Sequence, residues 1–370
     1  MSKKRRLIYK DIDALRLIAV VPIIIFCLFY LMDSYKDNVI SVIIGGLQYV
    51  KMASIEFFFF LSSFLLTAHA LREYKYLQKF NLRHFYTRRA LKILPQFLIL
   101  VLFTLLILPW ILNILQLSRF DSSLFYDNLL QFGSRSAVYT PEQFLLIAGS
   151  WFILIFCGMY FLLGVIFKLF QRKLKTISYV LIGFGLADRA YHILIKTSFE
   201  FDFFAYLVPI GIGIFFGDFV RNHKMKIDAL KEIPKATNLM FYAIGISSIV
   251  GGYFILKGTY FSLAVPLILS LFFGYVIIDQ TYGKHSFIKL RNYKILSKAG
   301  RMSYGLFTYT MVTSVVTLIA LESLELQTTS MLIQILFLFL SLVIGIAVAS
   351  FSYYRIEKPL GAVKREFKKF

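Results

Sequence analysis

The sequence predicts an all-α, polytopic membrane bundle of about ten transmembrane helices, with both termini in the cytoplasm. Three observations lead there. Hydrophobic residues make up 58% of the 370 residues and charged ones only 16%, too little polar surface to keep a soluble domain of this length dissolved. Apolar runs of about twenty residues, each enough to span a ~30 Å hydrocarbon core, recur from end to end. The basic residues between those runs alternate in density.

The spans fall at roughly 14–33, 49–70, 93–116, 143–167, 177–196, 203–220, 237–256, 260–279, 300–321 and 329–354. The first opens on Asp13-Ala-Leu-Arg16 and runs into an unbroken apolar stretch. It lacks a small-residue cleavage site and is expected to stay as a span rather than act as a signal peptide. The second holds Ile55-Glu56 and a run of four phenylalanines. A strongly basic loop with Arg83, Arg88, Arg89 and Lys92 leads into the third, at Pro95. Spans four, five, seven and eight rest on apolar length alone. The sixth carries Pro209, Gly211, Gly213 and Gly217, an interrupted pattern of the kind seen in transporters. The ninth starts at Gly300-Arg301-Met302-Ser303-Tyr304, and the tenth ends before Pro359.

Assigned to these loops, the Lys and Arg residues divide 33 to 7, with Arg16 inside the first span. The positive-inside rule puts the richer side, with both termini, in the cytoplasm. The net charge of +21 is therefore a topology signal. Its partners are bilayer headgroups and not nucleic acid. Two cysteines, Cys27 and Cys157, lie in apolar runs and suggest neither a disulfide framework nor a metal site. No segment reads as a soluble appendage, so residues 1–370 are one domain.

Four segments rise above the apolar background. They are Asp13–Arg16; Ile55–Leu65 followed by Phe85–Pro95; Gly300–Phe307; and Ser352–Pro359. In this order and over this topology they resemble the acyltransferase-3 family of bacterial membrane O-acyltransferases, along essentially the whole chain. The resemblance implies a multi-pass protein of the bacterial inner membrane. Such a protein moves an acyl group from cytosolic acyl-CoA, a co-substrate rather than a bound cofactor, to a hydroxyl on an extracytoplasmic envelope glycan. It also nominates substrate-binding residues: Arg16, Glu56, Arg88, Arg89, Lys92 and Trp151. Arginine and lysine suit the phosphates of CoA, and a carboxylate inside a span needs a partner or water.

The pattern fails where protons must move. Acyl transfer to a hydroxyl needs a base, ordinarily a histidine. The family's first-motif histidine aligns with Cys27, so no catalytic residue is assigned. The family's WSLxxE stretch becomes Trp151–Gly158, with Phe156 and Cys157 in place of its acidic pair. Its third-motif histidine aligns with Thr310, and the last arginine of RRxxR is Lys92. His69 is the nearest stand-in for a base among five histidines. Three functions compete on this evidence. One is a catalytically impaired acyltransferase-3 protein serving as a subunit or scaffold of an envelope complex with other membrane proteins. The second is an active O-acyltransferase with displaced catalytic residues, and the third a transporter of an envelope intermediate.

Overall fold

The structure is a computed structural model that describes residues 10–32, 38–107, 110–111, 114, 141–196, 202–256, 260–324, 326 and 330–360. These residues form helices and no strand. The helices are α1 (Lys10–Met32), α2 (Asn38–Leu77), α3 (Leu82–Leu102), α4 (Pro141–Leu169), α5 (Leu174–Leu194) and α6 (Leu207–Asn222). They continue as α7 (Lys224–Lys231), α8 (Lys235–Leu256), α9 (Ala264–Tyr282), α10 (Lys294–Arg301), α11 (Ser303–Ser323) and α12 (Met331–Ser352). Six stretches, built on α1, α2, α6, α9, α11 and α12, are long and apolar enough to cross a membrane. The other four expected spans, at 93–116, 143–167, 177–196 and 237–256, are helical where they are described, save for a turn at Ile195 and Lys196.

Local chemistry sets the helix ends. α2 stops at Gln78, whose φ of 53° breaks the helical path while its N–H still reaches the Tyr74 carbonyl at 2.8 Å. Three residues later the Asn81 side chain accepts from the His84 N–H at 3.1 Å and caps α3, satisfying one of the donors a helix start leaves open. A basic segment between spans eight and nine, expected to be loop, contains the short helix α10. It lies against the first turns of α1 so closely that a Cβ on Gly300 would overlap the Asp13 carbonyl. The Arg291 N–H also donates to Asp11 at 2.9 Å.

The core is built around α2, which packs most extensively on α6 and also on α1. α1 and α2 run antiparallel, with Lys51 of α2 beside Phe26 of α1. α2 and α6 run parallel: Gly213 faces Phe60 and Ser63, and Gly217 faces Phe64 and Thr67. A Cβ on Gly213 would sit 2.6 Å from the Phe60 carbonyl oxygen, so glycine is what lets these backbones approach. α6 is thus an unbroken helix whose glycines serve packing. α12 lies at the edge, with Leu332, Ile335, Phe339 and Phe351 exposed in the manner of a lipid-facing helix. The end of the bundle where α1 begins and α2 ends is called the basic end below.

Candidate functional site

Arg16 and Cys27 share α1 and lie about 16 Å apart along it, at 1.5 Å per residue. They belong to different environments. Arg16 is half-buried at the basic end, where its Nη1 donates to Asp13 at 2.8 Å. Arg89 of α3 and Tyr160 of α4 are its electrostatic neighbours, and Arg301 and Lys92 are those of Asp13. The Arg89 guanidinium lies 5.6 Å from the Tyr160 ring centre and 5.8 Å from that of Phe85, a cation–π arrangement. Its Nε is buried without a hydrogen-bond partner among the described residues. Arg88 instead turns to Glu73, at 2.8 Å. Of the nominated cations, then, Arg16, Arg89 and Lys92 gather and Arg88 is neutralised elsewhere.

The later motifs fold onto the same end. Gln96 of α3 donates to Glu357 beyond α12, and Gly305 of α11 sits against both, its Cβ position 3.2 Å from the Glu357 carboxylate. Tyr309 and Ser352 share a hydrogen bond of 2.7 Å. Residues from two sequence motifs, Gly305 from one and Ser352 and Glu357 from the other, meet here beside Gln96 and Tyr309: a small residue allows the approach and polar groups partner one another.

Cys27 is buried, 4% exposed, on the α1 face that packs into the bundle. Its charged neighbour is Lys51, near the start of the expected second span though its charge was counted with the first loop, and buried on α2, its ammonium 4.1 Å from the Phe26 ring centre. Phe156 is fully buried. Its ring stacks on Phe59 at 4.9 Å and meets Phe58 edge-on at 5.0 Å; Tyr304 lies 6.3 Å away. An aromatic cluster therefore fills the place of the family's acidic pair, and Cys157 turns outward, exposed. Thr310 is buried against Gly345 of α12, and its hydroxyl has no hydrogen-bond partner among the described residues. The Trp151 side chain lies outside the described residues.

Glu56 stands apart from the basic cluster. Arg189 of α5 donates to it at 2.7 Å and to the Ala205 carbonyl at 2.9 Å, with both side chains buried. One turn on, His192 Nε2 is 3.1 Å from Asp202 and 3.7 Å from Asp188, donor groups whose number and type would suit a divalent cation. Sequence reasoning missed Arg189 and Lys51, although both fall within expected spans, because their charges were counted only with the neighbouring loops. The available signal was a cation inside an apolar stretch, which is expensive and needs a partner. His69 contacts the Leu65 carbonyl at 2.6 Å. It is 18 residues along α2 from Lys51, or about 27 Å, and cannot act at Cys27.

A family model for the acyltransferase-3 family, described as an acyltransferase domain, matches residues 9–350. No curated protein and no solved structure matches the chain. The matched region includes α1 through α11 and nearly all of α12, and ends just before Ser352 and Glu357. The chain belongs to the acyltransferase-3 family.

Proposed function

We propose that this chain is a catalytically impaired acyltransferase-3 protein of the bacterial inner membrane, acting as a subunit or scaffold of an envelope complex. In this reading it crosses the membrane ten times with both termini in the cytoplasm, and the cations at Arg16, Arg89 and Lys92 are what remains of an acyl-CoA phosphate site. The observation that carries it is the aromatic cluster at Phe156. Transfer to a glycan hydroxyl requires a group that accepts the proton as the C–O bond forms. The positions where the family keeps such groups hold Cys27, Phe156, Cys157 and Thr310. Phe156 and Thr310 are spent on packing, and Cys157 faces away from the bundle.

A second reading, an active O-acyltransferase, has one observation in its favour: Lys51 beside Cys27. Paired with that ammonium as a thiolate, Cys27 would be the nucleophile. That thiolate would attack the acyl-CoA thioester carbonyl, breaking its C–S bond and expelling CoA as thiolate; the acceptor hydroxyl would then attack the acyl-cysteine, releasing the cysteine sulfur, which takes up the hydroxyl proton. The two readings part on purification from native membranes. A scaffold co-purifies with other envelope proteins in fixed ratio and leaves acyl-CoA intact. Recovery of the chain alone, with acyl-CoA consumed, overturns the scaffold reading.

A further inference from the structure

A cavity of about 290 Å³ opens at the basic end between α2, α6, α7 and α9. It is separate from the cluster around Arg16. Its floor is apolar, with Phe64, Val220, Ile227 and Tyr282. Its rim carries Arg72, Arg221 and Lys231 against a single carboxylate, Asp228, which is itself paired to Lys231. Arg72 and Arg221 are half-buried, and neither has a carboxylate partner among the described residues. Two guanidiniums facing one cavity repel each other, and partial burial weakens the screening of that repulsion. An anion between them removes the penalty, and a planar fork matches phosphate oxygens two at a time.

We propose that this cavity binds a phosphate ester, with Arg72 and Arg221 on the phosphate and the floor of Ile227 and Tyr282 against the apolar part of the ligand. The volume is at the lower end of small-molecule sites, about 300–1,000 Å³, enough for a headgroup but not for a whole CoA. The proposal needs no acyl transfer and stands whether or not the chain is an enzyme. Two sources share this chemistry: a membrane lipid phosphate and a soluble nucleoside phosphate.

The test uses the full chain in phosphatidylcholine nanodiscs. One arm adds phosphatidic acid to the bilayer and counts retained lipid by native mass spectrometry. The other adds adenosine bisphosphate and measures binding by equilibrium dialysis. One arm is expected to show saturable binding, and which arm does so identifies the source. Arg72→Gln/Arg221→Gln is expected to weaken it about tenfold or more. Ile227→Trp, which fills the floor and keeps every charge, is expected to weaken it too and decides the matter should the arginine variant not fold. Lys168→Gln, which removes an exposed cation elsewhere at the basic end, leaves it unchanged. No saturable binding in either arm, or binding that Ile227→Trp does not weaken, overturns the proposal.

Discussion

Glu56 on α2 and Arg189 on α5 form a buried ion pair of 2.7 Å, their side chains 0% and 4% exposed. Neither charge is stable there alone, because a buried charge stripped of its partner keeps its full desolvation cost. Glu56→Met or Arg189→Met is therefore expected to destabilise the protein by about 3–5 kcal/mol. The double change Glu56→Met/Arg189→Met is expected to recover much of that loss. Thermal unfolding of the four proteins in one detergent checks it. Additive losses in the double variant would mean that the pair is not coupled.

The α2–α6 contact makes a prediction about two glycines of similar sequence setting. Gly213→Val places a side chain against Ser63 and Phe60 and is expected to cost about 1–3 kcal/mol through forced separation of the helices. Gly183→Ala on α5 meets nothing within 4 Å. It is expected to stabilise by about 0.5–1 kcal/mol, since the helix loses a glycine. Unfolding midpoints of the two variants should move in opposite directions.

Phe156→Ala tests whether that position is structural. Removing a fully buried ring is expected to cost about 3–5 kcal/mol, with Phe156→Leu much milder. Unfolding of both variants in detergent measures this. A near-neutral Phe156→Ala would mean that the aromatic cluster is loosely packed.

At the basic end, the Lys284 ammonium donates to Glu232 and holds its carboxyl below the usual 4.5. A lowered carboxyl pKa means that the unfolded segment binds protons more readily than the folded one. The tether is then fully present above pH 4.5 and weakens as pH falls through the lower folded value. The Lys284 N–H donates to the Lys231 carbonyl, so its hydrogen exchange, corrected for intrinsic rate, should show less protection below that pH. Glu232→Gln should abolish the pH dependence. The effect is small, because both side chains are exposed.

Much of the helical architecture was legible from apolar length. Helices lie on each of the expected spans where residues are described. The meeting of Gly305 and Glu357 with Gln96 was not foreseen, because Gln96 lies just past the end of its motif. What the sequence hid were pairings between distant helices. Glu56 was visible as a lone carboxylate, but its partner Arg189 is 133 residues away, inside the expected fifth span, with nothing in the sequence to pair the two. Lys51 was hidden in the same way, since an ammonium resting on Phe26 leaves no mark on hydropathy. α10 was hidden for a different reason. Its helical face is short and basic, and it is held by close contact of Gly300 with α1 rather than by apolar length.

The central claim, that proton-handling chemistry has been withdrawn from this scaffold, is tested most directly by acyl-CoA turnover. The purified full chain would be incubated with radiolabelled acetyl-CoA and membrane-derived envelope glycan, beside Cys27→Ala and Lys51→Met. The account predicts no label on the glycan and no acylated Cys27, with all three proteins alike. Label transferred by the unaltered chain and lost in Cys27→Ala would contradict it.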